Sequence, residues 1–217
     1  MSSKMRVLCT GLLATVARTQ GLHNCSLDTI PSTVGSTGEA TKLASFLECS
    51  NGHFAVQWVG EVFVAETIHV RSGTSLDIAG TGPGAIADGQ HTSQLFVVDG
   101  GSSLHLSDMT LANGYASFGG AILANESSVA ISGNTSFISN AAENSGGAIS
   151  ASFSSTVSWT GDATQFSNNT AGSGGGAIYA DSSDVFWTGD ATQFSNNTAG
   201  YSGGAFEASS SDVSWTG

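Results

Sequence analysis

The sequence predicts an all-β chain wound into a single-stranded parallel β-helix, a solenoid closed at its N-terminal end by a short helical cap. Three observations predict it. Gly-Gly-Ala followed by a large apolar residue occurs at Gly119-Gly120-Ala121-Ile122, Gly146-Gly147-Ala148-Ile149, Gly175-Gly176-Ala177-Ile178 and Gly203-Gly204-Ala205-Phe206, with starts 27, 29 and 28 residues apart, a repeat period and not a scatter of glycines. An asparagine stands six residues before each start, at Asn113, Asn140, Asn169 and Asn197, and Phe137, Phe166 and Phe194 precede the last three of these by three residues. The block WTGDATQFSNNTAG, from Trp159 to Gly172, returns letter for letter from Trp187 to Gly200, and a third copy begins at Trp215 and breaks off at Gly217, so the repeat is expected to be cut in mid-coil.

Taken in chain order, residues 1–17 read as a secretory signal. Lys4 and Arg6 precede an apolar stretch from Val7 to Ala17 that is too short to span a bilayer and ends in small residues. Cleavage after Ala17 would remove Cys9 and leave Cys25 and Cys49, which in an exported chain are expected to form one disulfide. Residues 18–53 are expected to cap the first coil. Ser36 and Glu39 have capping-box spacing, and Ala40, Leu43, Ala44 and Leu47 fall on one face of a helix. A solenoid needs such a cover, because an open end exposes apolar side chains and unpaired backbone. From residue 54 to 118 the alternation of strands is irregular, with a Gly-rich corner at Gly80–Gly84; these are read as diverged coils of the same helix.

Residues 119–217 form the regular array. After each Gly-Gly, one strand face is always small, large apolar, small (Gly120/Ile122/Ala124 and its equivalents), whereas the middle of the other face carries Leu123, Ser150, Tyr179 and Glu207, which share no chemistry. A period of two with one constant and one variable face is a half-buried strand. A second strand points Val129/Ile131, Val157/Trp159, Val185/Trp187 and Val213/Trp215 inward, and a third, short one centres on the repeated phenylalanine. Three strands in about 28 residues is the size of one β-helix coil. Stacking at about 4.8 Å then lines equivalent side chains into columns: tryptophan (Trp159, Trp187, Trp215), phenylalanine, and asparagine, whose amide both donates and accepts along the stack. The glycine pairs Gly119/Gly120, Gly146/Gly147, Gly175/Gly176 and Gly203/Gly204 turn the corner.

Paired GGA[ILV] and FxxN motifs, once per coil over Asn113 to Gly217, resemble the repeats of the polymorphic outer membrane proteins, the autotransporter-type surface adhesins of chlamydiae. The resemblance implies a right-handed helix displayed outside a cell, on the outer membrane in a bacterial autotransporter, and no enzymatic activity in the repeat. Members of that family end in an outer-membrane β-barrel, for which this sequence has no counterpart.

Composition narrows the partners. Five Lys and Arg against 17 Asp and Glu give a net charge of −12, with 10% of residues charged. Nucleic acid and anionic membrane surfaces are both bound through Lys and Arg, so neither is an expected partner. No transmembrane helix and no cofactor are expected. Polysaccharide lyases, hydrolases and epimerases also use this fold and form the alternative reading, by fold analogy alone. Lyase chemistry needs an Arg or Lys base, and only Arg18, Lys42 and Arg71 remain after the signal; the NTD, DD and GHG motifs of polygalacturonases and the Asp-Pro-His-Asp of alginate epimerases are absent. Asp77, Asp88, Asp99 and Asp108 lie near His69, Arg71, His91 and His105 and could form an acid/base or metal cluster; the competing reading is turn aspartates and surface histidines. No HxH, HxxxH or GGxGxD occurs. Catalytic and metal residues are therefore assigned to none.

Asn-x-Ser/Thr occurs at Asn24, Asn125, Asn134, Asn168 and Asn196, glycan acceptors if the secreted chain is eukaryotic and chance in an Asn/Ser/Thr-rich chain otherwise; Asn168 would be excluded if it pointed into the coil. Ser158/Thr160, Phe186/Thr188 and Ser214/Thr216 flank the tryptophans as an interrupted hydroxyl row of the kind ice-binding β-helices use. The functional expectation is a non-catalytic secreted or cell-surface module, adhesin-like or structural. It would contact cell-surface or matrix proteins or glycans through outward residues such as Tyr179, Phe186, Tyr201 and Glu207.

Overall fold

The structure, a computed structural model, describes residues 30–160, 163–188 and 191–216. The chain is a parallel β-helix with a helical N-terminal cap. Helix α1, Thr37–Leu47, begins at Ser36, whose Oγ accepts the Glu39 N–H, while the Glu39 carboxylate accepts from the Gly35 N–H at 2.8 Å and from the Ser36 hydroxyl. These bonds satisfy donors that a helix start leaves open. The face Ala40, Leu43, Ala44 and Leu47 is buried, and Phe46 meets Phe54 of the first coil edge-to-face at 5.2 Å. Cys49 follows α1 closely; Cys25 and residues 1–17 lie outside the described residues.

The four coils from Phe96 to Ala199 hold four strands each. Sheet one stacks a six-membered column, Ile68–Val70, Phe96–Asp99, Ile122–Asn125, Ile149–Ser152, Ile178–Asp181 and Phe206–Ser209. The largest sheet runs around a corner. Its first face contains Ser103–Ser107, Ser128–Ser132, Thr156–Thr160, Asp184–Thr188 and Val213–Thr216, its second Thr110–Ala112, Ser136–Ile138, Gln165–Ser167 and Gln193–Ser195. The two are joined because Ser75–Asp88 is one strand pairing with both, bending where Gly82 and Gly84 take φ of 78° and 81°. The fourth strand was not expected: Tyr115–Phe118, Ala141–Ser145, Thr170–Ala171 and Thr198–Ala199 make a narrow sheet of their own. These stretches carry Ala, Thr and Ser with no alternating large apolar residues, so the period-two signal is missing there.

Register explains the irregular coils. The phenylalanine column continues upstream through Leu111 and Ala87 to Val62, and the tryptophan column through Ile131, Leu106 and Ile78 to Val56. Aliphatic residues hold the same buried places, so no break in stacking separates residues 54–118 from the regular coils. The interior is ladder-like. Trp159 stacks on Trp187 at 5.0 Å, Phe137 on Phe166 at 4.8 Å and Phe166 on Phe194 at 4.9 Å, each pair within 7° of parallel. In the last coil described the columns lose cover, and Trp215 is 57% exposed.

The two glycines of each corner do different work. The first, Gly119, Gly146, Gly175 or Gly203, has φ between 58° and 70°, where an L side chain is strained, and a Cβ there would also meet the carbonyl oxygen three residues on. The second has ordinary φ but no room: a Cβ on Gly147 would meet the carbonyl oxygens of Gly176 and Thr170, and Gly120 and Gly176 are equally closed. Only Gly204 has space, its nearest neighbour being Asn197 O at 3.5 Å. Gly147→Ala is therefore expected to cost about 3 kcal/mol by forcing adjacent coils apart, Gly146→Ala at least as much because its Cβ would meet the Ile149 carbonyl and its backbone is left-handed, and Gly204→Ala the least. Thermal unfolding of the three variants measures this order.

Candidate functional site

The polar interior is a ladder of asparagines. Asn140 and Asn169 are fully buried. The Asn140 N–H and Nδ2 both donate to Asn169 Oδ1 at 3.0 Å, and Asn169 donates likewise to Asn197 Oδ1. The remaining amide hydrogens go to the carbonyls of Leu111, Phe137 and Phe166, so each rung closes backbone groups that a tight turn would otherwise leave unpaired. Asn113 is a correction: it is not a rung. Gly114 occupies that place and gives its N–H to Asn140 Oδ1, while Asn113 takes φ 53° and donates Nδ2 to Asp88. The cause is a register shift between Ala142 and Ser145, where the later coil carries one residue more than 115–118. Counting six residues back from Gly119 therefore lands one place early.

Beside the ladder runs a second column, Asn113, Ser139, Asn168 and Asn196, all with φ between 53° and 57°. Asn168 and Asn196 are exposed, so of each Asn-Asn pair the first faces solvent and the second faces the core. Asn134 is exposed and Asn125 half-buried, accepting from the Ser152 hydroxyl at 2.6 Å. Asn24 lies outside the described residues.

The four aspartates do not converge. Asp77 is on the first face, Asp88 closes the bend beside Asn113, Asp99 ends a sheet-one strand, and Asp108 turns the corner at φ 55° and accepts the Asn134 N–H. Asp77 does meet histidines, His53 Nε2 at 3.2 Å and His105 Nδ1 at 4.0 Å, on an exposed surface; His53, which the sequence reading passed over, lies one coil earlier. Arg71 pairs with Glu48 at 3.2 Å at the rim of an open cavity of about 460 Å³ lined by Ala44, Ser45, Glu48, Glu66, Thr67 and His69. Burial, and then the Arg71 charge, lower the pKa of His69. Among the described residues no group of three or more His, Cys, Asp or Glu is placed to hold a metal.

Outward residues carry the variation. Tyr201 is 89% exposed, and Phe186 stands between Ser158 and Ser214 in the register, breaking the hydroxyl row. Tyr179 and Glu207 are half-buried neighbours, and burial, followed by the charges of Asp181 and Glu207, raises the Tyr179 pKa. The best organised outward group was missed. Tyr115 OH donates to Glu143 Oε1 at 2.9 Å and Ser117 Oγ to Glu143 Oε2 at 2.8 Å, across adjacent coils of the narrow sheet. The signal was present, since Tyr115 and Glu143 are one repeat length apart, but it needs the fourth strand to be known.

Stacked inner columns of like residues, with outward residues that change from coil to coil on sheet one and the first face, define a class, a stacked-coil scaffold. Two segments can be placed further: residues 163–181 and 191–209 match the family model of the Chlamydia polymorphic membrane protein repeat, and each contains a Phe of the stacked column, its ladder Asn and one Gly-Gly-Ala corner. Comparison with curated proteins and with solved structures found no match. Among the described residues no helix is long and apolar enough to cross a membrane, which leaves β-barrels unaddressed.

Two measurements follow from this geometry. Asn169→Ala is expected to lower stability by about 3 kcal/mol, since it strands the Asn140 N–H and the Phe137 carbonyl, whereas exposed Asn168→Ala costs only about 1 kcal/mol for its left-handed backbone. The Glu143 carboxyl is held below its ordinary value by the Ser117 hydroxyl first and the Tyr115 hydroxyl second, and Tyr115 is raised by the same bond and by the Glu143 charge. The stabilisation carried by Glu143 is complete above about pH 4.5 and fades as pH falls through the lowered value; that carried by Tyr115 is complete below about pH 10 and fades as pH rises through the raised one. In an ultraviolet titration of the tyrosines, Glu143→Gln should bring one of them back toward its ordinary midpoint.

Proposed function

We propose that this chain is a non-catalytic β-helix, secreted or displayed at a cell surface, that works as an adhesin-like or structural module. The observation that carries the reading lies in the regular coils of sheet one and the first face, where inner positions keep their type (Ile122, Ile149, Ile178; Trp159, Trp187, Trp215) while outward neighbours change (Leu123, Ser150, Tyr179, Glu207; Ser158, Phe186, Ser214). Repetition inside holds the coils in register, and a rigid rod loses little ordering entropy when a partner lies along it. The polymorphic membrane protein repeats at 163–181 and 191–209 support the same assignment. Partners would be cell-surface or matrix proteins or glycans, met by side chains such as Tyr115, Phe186 and Tyr201. An exported route fits the charged and apolar pattern of residues 1–17, and on that route Cys25 and Cys49 pair to staple the cap. Asn134, Asn168 and Asn196 offer exposed glycan acceptors if the host glycosylates.

The test is binding of the purified protein to cultured cells, immobilised matrix proteins and a glycan array, beside a variant with its outward residues scrambled and its inner columns intact. Retention by at least one surface, lost in the scrambled variant, is expected; equal behaviour of the two would remove the adhesive reading. For the cap, reduction should lower the melting temperature, and Cys25→Ser/Cys49→Ser should melt at that lower temperature with or without reductant.

A further inference from the structure

One corner of the solenoid varies in length from coil to coil, and upstream Ser72-Gly73-Thr74 and Gly100-Gly101-Ser102 turn it with three residues. Between sheet one and the first face, the coils before and after use two residues, Glu126-Ser127 and Ser182-Ser183, but the coil between them uses three, Phe153-Ser154-Ser155. The buried serines Ser127, Ser155 and Ser183 stay aligned, each backbone N–H reaching the next hydroxyl. Phe153 holds the place that Ser72 and Gly100 hold in the other three-residue corners, the first of two successive positive-φ positions. Phe153 and Ser154 both take positive φ, 55° and 61°, and Phe153 is 67% exposed, more than any other phenylalanine among the described residues.

A bulky residue in left-handed backbone with its ring in water is unfavourable on both counts, and serine, asparagine or glycine would turn this corner more easily. Outliers of this kind persist where a contact uses them. The surroundings say which contact. Asp184 lies beside Thr156 in the register, so Phe153 precedes it on one coil and the outward Phe186, 37% exposed, follows it on the next. Glu126 stands one coil before and Asp181 one coil after. All five Lys and Arg fall at or before Arg71, whereas twelve of the 17 Asp and Glu follow it, so no cation of the rod competes for these carboxylates.

We propose that this corner is the docking point for a basic protein segment. An Arg or Lys of the partner would place its charged head over the Phe153 ring and among Glu126, Asp181 and Asp184, with its aliphatic stem against Phe186. The proposal rests on the adhesive reading and names the chemistry of one partner.

The experiment uses the whole chain and fluorescein-labelled octa-arginine, with octa-glutamine as the uncharged peptide, followed by fluorescence anisotropy at low and high salt. Binding of octa-arginine alone is expected, weakening as salt screens the charges. Phe153→Ser should reduce affinity about three- to fivefold, the range of an exposed cation–π contact. Asp181→Asn/Asp184→Asn should reduce it and flatten the salt dependence, and Val59→Ser, at an exposed apolar residue of the first coil, should change nothing. Phe153→Gly should melt no lower than the natural chain, since glycine takes this φ freely, so its lost affinity is not lost folding. Equal binding by Phe153→Ser and the natural chain would overturn the proposal and leave only diffuse attraction to a polyanion. Salt-independent binding of cellohexaose that depends on Phe153 would also overturn it, by putting a glycan in the same place. Cell binding that survives Phe153→Ser would sink this corner and spare the adhesive reading; loss of all cell binding by the natural chain would do the reverse.

Discussion

Close approach of neighbouring coils at the Gly-Gly corner is the constraint on which the rest of the molecule depends. At Gly120, Gly147 and Gly176 the space a Cβ would fill holds carbonyl oxygens of adjacent turns. At that separation backbone groups pair from coil to coil, as when the Ala148 and Ile149 N–H groups both reach Ala177 O at 2.9 Å. A methyl group there would widen the spacing locally, and every parallel ladder shares that spacing. The repeat is thus set by a backbone contact, and the side-chain columns follow from it.

Inside, like residues stack on like. Flat aromatic stacks about 5 Å apart and a two-bond asparagine rung fit because the coil spacing matches the thickness of a ring and the reach of an amide. Where aliphatic residues replace the aromatics, in residues 54–118, the backbone pairing continues without them. The aromatic columns therefore add packing to a helix whose architecture the backbone already secures. Outside, no such matching is imposed, and Leu123, Ser150, Tyr179 and Glu207 can follow one another in a single column.

The narrow fourth sheet shows how function is accommodated. Its strands pair over as few as two residues, so they contribute little to register and tolerate an added residue, as at Ala142–Ser145. The corner between sheet one and the first face likewise takes two residues in some coils and three in others, and Phe153 stands in one of the three-residue corners. Single-residue insertions at corners leave the interior columns aligned while moving an outward side chain to a new place. A solenoid can in this way change its surface without changing its core.

The sequence by itself determined the solenoid, its period, the cap helix and the buried columns, because each depends on a repeated residue type at fixed spacing, and repetition is a one-dimensional property. It also separated the inner strand faces from the outer ones by their period of two. Only the tertiary structure decided the local offsets: that Gly114 and not Asn113 opens the asparagine ladder, that Asn168 faces solvent while Asn169 faces the core, and that a fourth strand brings Tyr115, Ser117 and Glu143 together. Those facts depend on which residues lie opposite each other across coils. A single extra residue shifts that register while leaving the spacing pattern almost unchanged.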